Sequence, residues 1–273
     1  MSRILITGSA QGLGRSAATT LLADGHQVVV HARNSSRAAA LTDLVDRGAA
    51  VVIGDLTSAQ QTRHLADQVN ELGRMDAVIH NAGVYGDRDR NPNGEGHPRV
   101  LAVNTLAPYL LTGLIERPKR LIYLTSDMHV SGDDSLNDLD WDTRRWNATQ
   151  AYRDSKLFVT ALALAAARRW PYIISHAVDP GWVPTRMGGP SATDDLEQGH
   201  LTQTWLAVSD SPDAIRSGQV WHHRRPAPIA AAAGDNNFQD RLLKHLAEKT
   251  GIYLEASTAH DAKPSRGQPA EDT

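Results

Sequence analysis

Short apolar runs alternate with amphipathic stretches along most of this chain, and that alternation restricts its fold more than any other feature. "RILIT" (residues 3–7) has the length and β-branched character of a buried strand; "GRSAATTLLADG" (14–25) has helical spacing and a glycine stop; "QVVVHA" (27–32) is a strand again. The unit repeats through strands "AAVVIG", "DAVIH", "KRLIYLT" and "YIISHAV", separated by helical stretches at 36–48, 58–73, 97–115 and one that opens at "AYRDSK". Six apolar strands joined by helical crossovers imply an α/β fold: one doubly wound parallel sheet flanked by helices on both faces. Beyond Pro180 the pattern loosens. Residues 192–208 and 211–218 read as helices, "GQVWHH" as a last strand and "NNFQDRLLKHLAEKTG" as a closing helix. No compositional break marks a second domain, so residues 1–256 are expected to form a single one. Residues 257–273, rich in charge, proline and small side chains, read as a disordered tail.

The first strand runs straight into "TGSAQGLG", Thr7 to Gly14, which opens the first helix. In a Rossmann-type unit such a turn has a mechanical purpose. Gly8, Gly12 and Gly14 permit the tight turn, the approach of a pyrophosphate to the backbone and close packing of helix on sheet, while the helix N-terminus offers free N–H groups. Ser9 and Leu13 belong to the same turn. At the end of the second strand, "HARN" carries Ala32 where an NAD site usually places a carboxylate for the adenosine ribose, followed by Arg33, whose guanidinium can hold a 2′-phosphate. Asn34, Ser35 and Arg37 stand beside it. NADP(H) is therefore the expected cofactor, ahead of NAD. In "AYRDSK", Tyr152 and Lys156 are four residues apart on one helix face, a spacing that suits an acid-base pair and equally a solvated surface.

These features resemble the short-chain dehydrogenase/reductase family, and further marks follow in family order over about the first 190 residues. The resemblance covers the glycine turn, Asp55 and Leu56 beside the adenine, "NAG" at Asn81, Ala82 and Gly83, Asn104 in a helix, Ser126 at a strand end, and the tyrosine-three residues-lysine signature of Tyr152 and Lys156. It extends to "DPGWVPT", where Pro180, Gly181, Val183 and Thr185 would face the nicotinamide, although aspartate replaces the more usual asparagine or histidine before Pro180. What it implies is a catalytic set of Ser126, Tyr152, Lys156 and Asn104. Tyr152 would be the acid-base residue, with its pKa lowered by Lys156, which would also hold the nicotinamide ribose. Ser126 would polarise the substrate oxygen, and Asn104 would hold a proton-relay water. A substrate lid is implied at about 182–210, with Met128, His129 and Trp182 as substrate contacts. The long Ser126 to Tyr152 segment is similar to the retinol-dehydrogenase and carbonyl-reductase side of the family, which implies a lipophilic ketone, aldehyde or secondary alcohol. A noncatalytic NADP-binding regulator, or an epimerase or dehydratase on the same platform, are the alternatives.

The remaining features bound the partners. A net charge of -3 gives no general attraction to nucleic acid, no run is long enough for a membrane span, and zero cysteines fit a reducing, cytoplasmic setting. The basic runs "RPKR" and "HHRR" are isolated and read as loop or strand-edge devices. "DDSLNDLDWD", Asp133 to Asp142, departs from a calcium loop because Thr143 and Thr149 stand where glycine and glutamate are needed, so no metal site is expected. It reads as a solvated, helix-capping loop, or as an acidic rim favouring cationic substrates. The stretch Leu157 to Ala167 is apolar on nearly every face, so it must be covered, either across a two-fold axis in a homodimer, the expectation here, or by the acidic segment Asp133 to Asp142 within one chain.

Overall fold

A computed structural model describes residues 1–256. The expected tail, 257–273, lies outside the described residues. The strands are β1 Arg3–Ile6, β2 Gln27–Ala32, β3 Ala50–Ile53, β4 Ala77–His80, β5 Arg120–Leu124, β6 Ile174–Asp179, β7 Gln219–His222 and β8 Arg225–Pro226. They form one sheet in the order β3-β2-β1-β4-β5-β6-β7-β8, parallel except for the last pair. The longer helices are α1 Gly12–Ala23, α2 Ala59–Glu71, α3, α4 Ala148–Arg169, α5 Gln198–Val208 and α6 Asn236–Thr250; α3 joins Arg99–Leu101, Ala102–Leu106 and Ala107–Leu114.

Successive strand residues point to opposite faces, and each face builds its own core. Leu5, Val29, Val78, Leu121 and Ala177 pack toward α2, α3, α4 and α6. Ile4, Ile6, Val30, Ile79 and Val178 pack toward α1 and α5. Strand order reverses between β1, which leads back to β2 and β3, and β4, which leads on to β5. Crevices for ligands open at such points, outside the C-terminal strand ends.

Several local features depart from the sequence-based expectations. Residues 36–48 do not make one helix but pass through Ser35–Ala38, a 3₁₀ turn at Ala39–Leu41, and Thr42–Val45. Leu41 and Leu44 are fully buried, while the Asn34 side chain caps the first turn and the Thr42 hydroxyl donates to Ala39 O, local bonds that compete with a regular helix. Helix α3 widens to a π-helical segment at Ala102–Leu106, centred on Asn104. Strand β8 was not expected; it returns from β7 through His223 and Arg224, at φ 47° and 60°.

The acidic segment is neither a rim nor simply solvated. Arg144 pairs with Asp133 and Asp154 at 3.0 and 2.8 Å and stacks over the Trp141 ring at 3.6 Å. Asp140 pairs with His97 and Lys249, and Asp138 accepts the backbone N–H groups of Asp142, Thr143 and Arg144, which bring its carboxyl down to about 2 against the effect of burial. These carboxylates are spent on fastening the segment, and none of them lines the large cleft.

The apolar face of α4 is covered within the chain. Every residue from Asp154 to Ala166 is buried. Helix α6 packs along α4, Asp240 on α6 pairs with Arg168 and Arg169 at 2.5 and 2.8 Å, and the Trp170 indole N–H donates to Glu255 O at 2.8 Å. The Tyr109 hydroxyl on α3 donates to Ile252 O at 2.7 Å. The burial that motivated a homodimer is thus supplied by the chain's own C-terminal region.

Candidate active site

A single cleft of about 2150 Å³ runs along the C-terminal ends of the strands. At its β1 end the glycine turn is set by sterics. Gly8, at φ 68°, lies so close to the next turn that a Cβ would sit 2.9 Å from Ala82 Cα, and Gly12 is at φ 58°. Gly14 does not line the cleft; a Cβ there would stand 2.4 Å from Asn81 Nδ2, so this glycine serves helix-to-sheet packing. Ser9 also departs from its expected cofactor contact. It is fully buried, donates to Ile6 O at 2.8 Å, accepts the His31 backbone N–H at 2.7 Å, and locks β1 to β2. All the other expected cofactor residues line the cleft.

Three observations fit this end to a dinucleotide. Gln11, the N-cap of α1, makes no side-chain cap, which leaves first-turn N–H groups for an anion. Asn81 Nδ2 donates to Thr7 O at 2.9 Å and Ala82 N to Thr7 Oγ1 at 3.0 Å, and these bonds hold the β1 and β4 ends at the crevice. Arg33 and Arg37 face the far end of the cleft, with apolar Ala32 beside them. His31 lies beneath them and was not anticipated from sequence. It accepts the Gly8 N–H at Nδ1 (2.9 Å) and donates from Nε2 to Gly54 O (2.8 Å), and burial lowers its pKa. Neutral imidazole is the form that satisfies both bonds.

At the middle of the cleft β5 delivers Ser126 and α4 delivers Tyr152 and Lys156. Ser126 Oγ donates to Asp127 Oδ1 at 2.9 Å and accepts the Met128 N–H at 3.3 Å. Lys156 Nζ donates to Leu124 O at 2.8 Å and stands 5.4 Å from the Tyr152 ring centroid. Burial brings the Lys156 ammonium down to about 8, opposed by the Asp179 charge. Burial raises the Tyr152 phenol, Asp179 and Asp127 raise it further, and the Ser126 hydroxyl pulls it down. The expected lowering of the phenol by Lys156 is therefore reversed here by burial and two carboxylates. Tyr85, unmarked in the sequence reading, meets the Tyr152 ring edge-on at 4.7 Å.

Asn104 lies behind this centre. Its Oδ1 accepts the Val84 N–H at 2.8 Å and its Nδ2 donates to Val84 O and Ser155 Oγ, both at 3.0 Å. The side-chain amide is committed to bracing the turn after Gly83 against α4, so a relay water would have to be held by the main chain of the π segment. His129 lines the cleft as expected, but its polar atoms are taken: Nδ1–H donates to Ser126 O at 2.7 Å and Nε2 accepts the Ala230 N–H at 3.2 Å. It can offer a substrate only its ring surface.

The end of the cleft beyond Tyr152 is walled by Tyr85, Met128, Val130, Trp182, Met187 and Pro226. The Trp182 indole N–H is used on Gly188 O at 2.9 Å, leaving its ring for the cleft. The expected lid at 182–210 contributes only through residues up to Gln198; the rest of α5 covers the sheet, and Trp205 packs edge-on against Trp221 at 5.1 Å. Asp179, His222, His223 and Arg225 complete this end.

A nucleotide turn, a strand-end serine and a tyrosine-lysine pair on one cleft define an oxidoreductase built on a doubly wound sheet. The family model described as short chain dehydrogenase matches residues 2–118. A short-chain dehydrogenase from Gibberella zeae is 39% identical over 93% of this chain and 99% of its own length. Human retinol dehydrogenase 13 is 30% identical, covering 91% of this chain and 84% of the relative. The crystal structure of an uncharacterized protein from Mycobacterium paratuberculosis superimposes with a TM-score of 0.81 at 23% identity, over 94% of this chain and 96% of that one. The chain belongs to the short-chain dehydrogenase/reductase family, and its relatives include retinol dehydrogenases. Among the described residues no helix is long and apolar enough to cross a membrane.

Proposed function

We propose that the protein is an NADP(H)-dependent carbonyl reductase or alcohol dehydrogenase acting on a lipophilic ketone, aldehyde or secondary alcohol. The observation that carries this reading is the convergence of Ser126, Tyr152 and Lys156 on one cleft whose other end is the glycine turn and Arg33. NADPH, when bound, supplies hydride. Tyr152 donates its hydroxyl proton to the substrate oxygen, and Ser126 turns its hydroxyl from Asp127 to the same oxygen as negative charge develops there. Lys156, buried as an ammonium, supports proton return to Tyr152 and binds ribose hydroxyls. Arg33 and Arg37 hold the 2′-phosphate, and the absence of an acidic side chain at Ala32 removes the repulsion that would exclude it. The apolar wall with Trp182 and Met187 supports a lipophilic substrate.

The test is steady-state oxidation of NADPH and of NADH with a panel of hydrophobic ketones and aldehydes. The expected result is turnover that prefers NADPH by about tenfold or more in kcat/KM, reversed or abolished in Ala32→Asp with Arg33→Ala. An unmodified enzyme that prefers NADH would defeat the cofactor assignment. Inversion of an alcohol stereocentre without net NADPH consumption would favour an epimerase.

A further inference from the structure

Most charged side chains at the end of the cleft beyond Tyr152 have partners within the protein. Asp127 accepts the Ser126 hydroxyl at 2.9 Å and Asp194 accepts the Trp182 N–H at 2.6 Å. Asp179 accepts the Gly181 N–H at 3.0 Å and lies 3.3 Å from His222 Nδ1, and Arg99 is held by Asp87 at 2.6 and 3.0 Å. Arg186 follows Thr185, whose methyl group would stand 3.6 Å from a Cβ on Gly12, so it belongs to the nucleotide side. Arg225 differs from all of these. It lines the cleft, is exposed, and among the described residues its guanidinium has neither a carboxylate nor a carbonyl partner.

Strand register fixes where that guanidinium stands. Asp179 closes β6 opposite His222, which closes β7, and His222 pairs with Arg225 on β8. Ala177 and Val220, two residues earlier on β6 and β7, belong to the core beneath α4, so Asp179 and His222 share that face, and Arg225 shares it with them. Helix α4 carries Tyr152 and Lys156 on the same side of the sheet. The hairpin is fastened to β6 by His222 Nδ1, 3.2 Å from Asp179 O, and His223 stacks on His222 at 3.9 Å. Three strand spacings separate β8 from β5, whose end delivers Ser126, a distance of about 14 Å between main chains. The same end of the cleft presents the exposed apolar side chains of Val130, Trp182 and Met187. A guanidinium beside apolar surface suits a ligand with a carboxylate at the end of an apolar skeleton, because its planar fork takes both carboxylate oxygens at once.

We propose that Arg225 is a specificity-determining residue that binds a carboxylate on the substrate, so that the enzyme reduces oxo acids whose apolar skeleton separates the carboxylate from the reacting carbonyl by several carbon atoms. The inference rests on the reductase reading above and names the substrate class within it. Pairs of ketones with the same apolar skeleton, one ending in a carboxylate and the other in the carboxamide, separate charge from shape across a series of chain lengths. With NADPH and the full-length enzyme, the carboxylate ketone should be preferred at the fitting length by about tenfold in kcat/KM, the difference residing in KM. Arg225→Gln should abolish that preference, Arg225→Lys should keep part of it, and added salt should shrink it in the parent. A parent that reduces both members of every pair with equal kcat/KM would overturn the inference and leave the reductase reading standing. So would an Arg225→Gln variant that slows both members by one factor, or one whose loss lies in NADPH affinity alone. A parent inactive on every carbonyl and alcohol would overturn the reductase reading and this inference with it.

Discussion

Ser9 shows how a residue can sit inside a nucleotide-binding turn and still work for the fold. Its hydroxyl bridges Ile6 O and the His31 N–H in a site with no exposure. Ser9→Ala strands a buried N–H and should lower unfolding free energy by about 1–3 kcal/mol in urea titration, with little change in KM for NADPH. Unchanged stability with lost NADPH affinity would return Ser9 to the cofactor site. At this scale the sequence was informative wherever a local rule fixes the geometry. The four-residue spacing puts Tyr152 and Lys156 on one helix face, and the glycine spacing marks the turn. It was silent where tertiary placement decides. That His129 spends both nitrogens on Ser126 O and the Ala230 N–H, or that Asp179 meets His222, depends on partners far away in the chain.

Among the elements, the parallel strands were legible because a strand covered on both faces is written as a continuous apolar run. The β7–β8 hairpin was not. A two-residue turn of this kind favours Asn-Gly, and here His223 and Arg224 adopt the left-handed region instead, so "HHRR" carried no turn signal. Replacing the pair with Asn-Gly should relieve that strain and stabilise the protein by about 1 kcal/mol, read as a rise in Tm of about 2–4 °C. A lower Tm would show that the two side chains contribute more than the backbone loses. The π segment of α3 was also unreadable, since its widened turn follows from the Asn104 bonds to Val84 and Ser155, not from local propensity. Helix α6 bears on the oligomeric state. Because it covers α4, light scattering at micromolar concentration should report a monomer, and a stable dimer would mean that another face associates.

For the whole molecule, four buried histidines, His31, His80, His176 and His200, whose pKa values burial lowers, make stability depend on pH. Burial brings His80 to about 3 and His176 to about 4, and also lowers His31 and His200. Their unfolded value is about 6.5, so between these limits the unfolded chain binds protons that the native protein does not. Their contribution is complete above pH 6.5 and is lost as pH falls toward the native values, by up to about 1.4 kcal/mol per pH unit for each. The urea midpoint should therefore decline from pH 6.5 downward, and a midpoint flat to pH 4.5 would show that other groups compensate. In the proposed reading one cleft unites a nucleotide site with Tyr152 as proton donor. The most direct measurement compares Tyr152→Phe with the parent, by NADPH binding in calorimetry and by NADPH-dependent ketone reduction. NADPH affinity should stay within about threefold of the parent, and turnover should fall on the order of a thousandfold or more. Near-parental turnover in that variant would contradict it.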